Sequence, residues 1–216
     1  TTNDTWPQKA ASISINLGTL TIAKDTAYSP SAKEYARGTE QNDIIAIKFT
    51  AGANEGVRIT SIKLMSSTGT ALADSSVSNV TLYDAATGEQ LKDTAGNLVP
   101  AAGMSSGYVT FGSYTTGLDT VGLFDISVAS YKSILVKADV PSGAATATNV
   151  LGYEIDNPTT QVWVDGLSSQ NDLSASEINA GVVTSVPSIA VMHTILEKGT
   201  LTVSANASTP SAANYA

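Results

Sequence analysis

The chain has 216 residues, 42% of them hydrophobic, enough to bury a sizeable core in one large or two small domains. Only 14% are charged, the net charge is −8 and the basic residues are scattered, so the basic footprint that nucleic-acid binding needs is missing. There is no cysteine, which excludes disulfide frameworks and thiolate chemistry, and no apolar run of about 18 residues that would insert in a membrane.

The chain opens on a segment that it restates at its end. Gly18-Thr19-Leu20-Thr21-Ile22 returns as Gly199-Thr200-Leu201-Thr202-Val203. Pro30-Ser31-Ala32 returns as Pro210-Ser211-Ala212, Tyr35-Ala36 as Tyr215-Ala216, and Pro7 as Pro187. The offset is 180 or 181, with Tyr28 as the extra residue. That period is far longer than the roughly 20–50 residues of a solenoid unit and suits whole domains in series. Residues 1–186 therefore read as one complete repeat. Residues 187–216 read as the first strands of a following repeat, or as a strand donated to a neighbouring subunit.

Between the copies the pattern is β. Over 43–50, Ile45, Ile47 and Phe49 share one face, with Ile44, Ala46 and Lys48 on the other. In 57–65 the apolar phase slips between Ile59 and Ile62, which predicts a bulge. Further strands are expected over 78–84, 107–111, 148–155 and 161–165. Phe124, Ile126 and Val128 form one apolar face, and Ile134, Val136, Ala138 and Val140 another, opposite Lys137 and Asp139. Thr87-Gly88, Ala95-Gly96-Asn97, Pro141-Ser142-Gly143 and Asp156-Asn157-Pro158 punctuate the strands as turns. Ser174-x-x-Glu177 is the one helical signal, a capping-box pattern over one or two turns. Short strands between turn residues predict an all-β, antiparallel sandwich, Ig-like or jelly-roll-like. A unit of about 180 residues exceeds an immunoglobulin domain of about 100, so long loops and an extra hairpin near 84–112 are expected.

Few residues promise chemistry. The single histidine, His193, has no counterpart in the first copy, so it cannot serve as the base of a catalytic triad belonging to the complete repeat; a surface or interface position is expected. No enzyme is expected. Asp165, Asp172 and Glu177 lie in one oxygen-rich region that offers a Ca²⁺ site, although the spacing matches no EF-hand loop. No other cofactor is expected. Asn3, Asn79 and Asn206 begin Asn-x-Ser/Thr sequons and are candidate glycosylation sites. Lys48 lies opposite the Ile45 face, which argues against an intramolecular isopeptide bond. Trp163 lies on the opposite face from Val162 and Val164, and Trp6 is the second tryptophan; together they are expected to pack in a core or interface, with a sugar-stacking platform as the alternative.

Three segments carry a resemblance. They are Gly199–Val203 followed by Thr209-Pro210, Ser78-Asn79-Val80-Thr81-Leu82-Tyr83-Asp84, and Ile134-Leu135-Val136-Lys137-Ala138-Asp139-Val140. The chain resembles the tandem Ig-like repeats of long bacterial and archaeal surface proteins, S-layer-like and adhesin-like chains among them. The resemblance implies a non-enzymatic structural repeat of an extracellular filament or layer, whose partners are copies of itself or adjacent repeats, and glycans. Linkage would run through shared or donated strands, because an unpaired sheet edge accepts a neighbour's strand. Val191, Ile195, Leu201 and Val203 are the residues expected in such an inter-unit strand. A secreted carbohydrate- or partner-binding module is the alternative.

Overall fold

The computed structural model describes residues 18–66, 73–117, 119–144, 150–178, 191–197 and 204. Two antiparallel sheets pack face to face. The first has the order β1-β3-β8-β5, from β1 (Leu20–Lys24), β3 (Thr39–Ala51), β8 (Tyr131–Val140) and β5 (Ser78–Asp84). The second is built around β4 (Val57–Ser66). One flank of β4 carries β6 (Tyr108–Gly112) and β7 (Phe124–Ile126), the other β10 (Tyr153–Glu154) and β11 (Val162–Gly166). A third, small sheet has the order β2-β12-β9, from β2 (Glu34–Ala36), β12 (His193–Leu196) and β9 (Val150–Leu151).

The apolar alternations become the core. Ile45, Ile47 and Phe49 of β3 and Ile134, Val136 and Ala138 of β8 are buried together with Ile59, Ile62 and Leu64 of β4. Phe49 meets Phe124 of β7 edge-on across the sheets, ring centres 5.5 Å apart, a favoured geometry for aromatic pairs. Lys48 points outward over the Tyr131 ring at 3.9 Å. The expected slip in β4 is a bulge: Trp163 pairs with Ser61 and Val164 with Ile59, so Thr60 is the extra residue. The bulge lets Ile59 and Ile62 both face inward. Gly112 sits against it, where a Cβ would lie 2.1 Å from the Thr60 carbonyl oxygen.

Residues 85–107 form the expected ribbon. It closes on itself through a Lys92–Leu98 bridge, folds back on β5 through Tyr83–Gln90 and Val80–Ala102 bridges, and buries Leu91 and Val99. Two expectations change. Val128 lies beyond β7 and is half exposed. The capping-box pattern makes a turn and no helix: Ser174 N–H and Oγ both bond the Glu177 carboxylate, and Glu177 N–H returns to the Ser174 carbonyl. Among the described residues the one α-helical turn, α1 (Pro158–Gln161), starts at Pro158, suited to a first helical position.

The largest change concerns the second copy. Residues 191–197 fold onto this chain's own sandwich. β12 runs parallel to β2, with Thr194 opposite Glu34, Ile195 opposite Tyr35 and Leu196 opposite Ala36. It runs antiparallel to β9, with His193 opposite Leu151. Val191 and Ile195, expected in a neighbour, are buried in this core. The described sandwich therefore runs from Gly18 to Glu197 and extends past the 186/187 boundary. The reason is local: β2 continues into β3 of one sheet and β9 into β10 of the other, so the strand between them closes the edge where the sheets part. Leu201 and Val203 lie outside the described residues.

Candidate functional site: the closing strand and the two poles

β12 fills a slot walled by β2 and β9. Its side chains alternate, with Val191, His193 and Ile195 buried and Thr194 and Leu196 exposed. Main-chain bonds from Thr194 N–H to the Lys33 carbonyl (2.9 Å) and from Arg37 N–H to the Leu196 carbonyl (3.0 Å) hold it to β2.

His193 is the polar centre of the slot and is 0% exposed, which corrects the expected surface or interface position. Its Nδ1 accepts the Lys33 backbone N–H at 3.1 Å, and its Nε2 lies 2.8 Å from the Ile44 carbonyl oxygen. Nδ1 accepts, so Nε2 carries the proton and donates it, and the imidazole is neutral. Ile44 is the bulged residue of β3: Asp43 pairs with Lys137 and Ile45 with Val136, leaving Ile44 without a partner in β8. His193 thus satisfies a carbonyl that the ladder leaves over. The ring also lies 5.0 Å from that of Tyr35, whose hydroxyl donates to the Asp43 carbonyl at 2.6 Å. Burial, the strongest influence, keeps the imidazole pKa below its ordinary value; the Ile44 carbonyl and Asp43 oppose this and Lys33 adds to it. With both nitrogens committed to backbone groups, the ring is not available as a general base.

The opposite pole is organised by Glu55, which the sequence does not single out. Its Oε1 accepts the Gly18 N–H at 2.9 Å, and its Oε2 accepts the Ser168 and Ser169 N–H groups, also at 2.9 Å. Burial works to raise its pKa, but these backbone donors prevail and hold it below the usual carboxylate range. A side chain at position 18 would put its Cβ 2.9 Å from Cγ of Glu55. This is a physical reason for the glycine that the sequence restates at 199. Leu20 N–H bonds the Glu177 carbonyl nearby.

The Glu55 site lies at the C-terminal end of β3, whereas the His193 ring meets β3 part-way along, at Ile44, and β12 runs on from there toward the N-terminal end. Leu20 pairs with Ala51 at the last residue of β3, while Leu196 pairs with Ala36, three residues before its first. β3 has 13 residues and so spans roughly 40 Å. The described chain enters the sandwich at one pole and leaves it at the other.

A third cluster lies on the outer face of the second sheet. Asp165 and Trp163 alternate with the inward Val162 and Val164, as expected. Asp165 is nevertheless 0% exposed, because the loop after β6 covers it. Tyr114 of that loop packs on Trp163, ring centres 5.9 Å apart. Asp172 pins the loop by accepting from the Tyr114 hydroxyl (2.8 Å) and the Gly117 N–H (3.0 Å). Asp165 Oδ2 accepts the Asp119 N–H at 2.9 Å, while its Oδ1 is buried with no hydrogen-bond partner. Burial first, then the Asp119 and Asp172 carboxylates, push its pKa up to about 6 against that one N–H bond. Arg58 anchors the loop's far end, with a bidentate pair to Asp125 and bonds to the Asp119 and Thr120 carbonyls.

The expected Ca²⁺ trio is only partly assembled. Asp165 and Asp172 face each other across a bridge, but the Glu177 carboxylate is turned to Ser174. Asp119 joins the pair instead. Among the described residues, no group of three or more His, Cys, Asp or Glu side chains converges to hold a metal ion. Asn79 is exposed with a φ of +46°, and its Nδ2, the atom a glycan would modify, donates to Asp139 at 2.8 Å. Asn3, Asn206 and Trp6 lie outside the described residues.

The chain is similar to a cohesin of known structure, the seventh ScaB type I cohesin from Pseudobacteroides cellulosolvens. The identity is 15%, over 88% of this chain and 99% of that one, with a TM-score of 0.37. At that distance it carries no residue role across. No protein-family model and no curated protein matches the chain. Among the described residues no helix is long and apolar enough to cross a membrane.

Proposed function

We propose that the chain is a non-catalytic β-sandwich unit of an extracellular array whose units follow one another end to end. One observation carries this: the described chain enters beside Ala51 at the Glu55 pole and leaves at Leu196, beside Ala36 and the turn that leads into the other end of β3. A chain with that path, followed by a copy of its own opening, places the next unit beyond the far pole and not beside the first. The restated Gly199–Val203 stands in the sequence where a following β1 would begin, two residues after Glu197. So short a linker gives little freedom between units and suits the transmission of tension along the chain. Leu201 and Val203 are proposed as the buried positions of that next strand, matching Leu20 and Ile22.

Electron microscopy of the native assembly tests this. The expected result is an axial spacing of roughly 40–45 Å per unit, set by the strand length. Units meeting side by side through their sheet edges would overturn it.

The alternative of a carbohydrate-binding module has one observation in its favour: the Tyr114–Trp163 pair on the outer sheet face, with Tyr114 41% exposed. A glycan screen against the chain and its Tyr114→Ala variant tests it. Binding lost in the variant supports a sugar platform, and no binding by either rejects it.

A further inference from the structure

The slot between β2 and β9 has two candidate strands within this one sequence. The repeat places Ala11, Ser12, Ile13, Ser14, Ile15 and Asn16 against Val191, Met192, His193, Thr194, Ile195 and Leu196. Both segments alternate in the same phase. Ala11, Ile13 and Ile15 correspond to the buried Val191, His193 and Ile195, and Ser14 to the exposed Thr194. Main-chain pairing to β2 and β9 is indifferent to side chains, so it cannot tell the two apart. Among the three inward positions, only the central one differs in kind: histidine in one segment, isoleucine in the other.

The slot's own chemistry is matched to that difference. With His193 in place, the Lys33 N–H has an acceptor and the Ile44 carbonyl a donor. An isoleucine there has neither, and it would cover both backbone groups while leaving them unpaired. A buried polar group without a partner is disfavoured more than a made hydrogen bond is favoured. From this we infer that His193 is the specificity residue of the slot: it admits the chain's own closing strand and rejects residues 11–16 of a second copy. Discrimination of this kind works through the unsatisfied competitor, a form of selection that hydrophobic pattern alone cannot supply. Where many copies lie close together, it prevents one unit's leading segment from invading another's slot. The inference rests on the reading of the chain as a repeated unit and names how its closing strand is chosen.

The absence of cysteine makes disulfide trapping clean. Two full chains, one carrying Glu34→Cys on the slot wall and the other Ser14→Cys on the competing strand, are mixed and oxidised, and the intermolecular 14–34 disulfide is quantified by mass spectrometry. Adding Ile13→His gives the competitor the missing donor and acceptor without touching the slot. It is expected to raise the 14–34 disulfide about tenfold, the ratio that one buried hydrogen bond is worth. Moving the cysteine from Ser14 to Ser12, out of register with Glu34, is expected to abolish the gain. An unchanged yield with Ile13→His, or a native Ile13 chain already cross-linked to completion, overturns the inference. A separate chain with Thr194→Cys and Glu34→Cys tests the underlying reading. Failure of that pair to close within one chain would refute the seat of β12 itself, whatever the first result.

Discussion

His193 and Asp165 are both completely buried and both titratable, yet the fold treats them in opposite ways. His193 has every polar atom paired with backbone from β3 and from the residues leading into β2. Asp165 has one oxygen paired and one orphaned beside two further carboxylates. The first is a fastening at the pole where the chain leaves. The second is a strained lining under a surface loop, where the fold tolerates an unsatisfied acid. Buried polarity is thus a fastening only where it is fully paired.

The largest effect that would sharpen this contrast is His193→Ala. It orphans the Lys33 N–H and Ile44 carbonyl and leaves a cavity, so a loss of about 3–4 kcal/mol is expected in denaturant unfolding. A loss below about 1 kcal/mol would mean the two bonds contribute little. Next comes Glu55→Gln. The amide keeps one acceptor oxygen and turns an NH₂ toward backbone donors, so about 2 kcal/mol should be lost, with Gly18 and Ser168 amides exchanging faster in solvent. Smaller and opposite in sign is Asp165→Asn. It removes a buried charge beside Asp119 and Asp172, and above pH 6 it should stabilise the fold by about 1 kcal/mol. A destabilised Asp165→Asn chain would show that the carboxylate is a wanted ligand and not a tolerated strain.

The pH dependence carries the same contrast in its signs. The folded His193 pKa lies below its ordinary 6.5, so the unfolded chain takes up the proton first. The histidine's contribution is whole above that value and is lost as pH falls through it. Lys33, Asp43 and the Tyr35 ring are the groups that face it. Asp165, raised from 3.8 to about 6, binds its proton first in the folded state. Its contribution is present in acid and is lost as pH rises toward and past 6. Urea unfolding between pH 4 and 8 should therefore show the Asp165→Asn chain gaining on the native chain as pH rises. The His193→Ala deficit should shrink as pH falls. Parallel curves for all three would contradict both assignments.

Much of the sandwich was legible because long strands write their burial in alternation. β3, β5, β8 and β11 were each marked by residues such as Ile45, Val80, Val136 and Val164, and the Thr60 bulge by a slipped phase. β12 was legible as a strand but not in its partners. β2 has three residues and β9 two, too few for alternation to show, and a parallel pairing across about 160 residues leaves no local mark. His193 looked unremarkable because its partners are backbone groups, which sequence does not display. Glu55 was invisible for the same reason. Asp165 and Asp172 were found through composition, whereas Asp119 lay 46 residues away from Asp165 in sequence and was not.

The central claim is that the chain enters and leaves at opposite poles. Spin labels on Thr21→Cys and Leu196→Cys, both exposed positions, measure it directly by double electron–electron resonance. Thr21 pairs with Thr50 near one end of β3, and Leu196 pairs with Ala36 beside the turn that leads into the other. A single distribution centred at roughly 35 Å is predicted from the strand rise. A distribution centred below about 20 Å, some six residues of strand, would put both ends at one pole and contradict the end-to-end array.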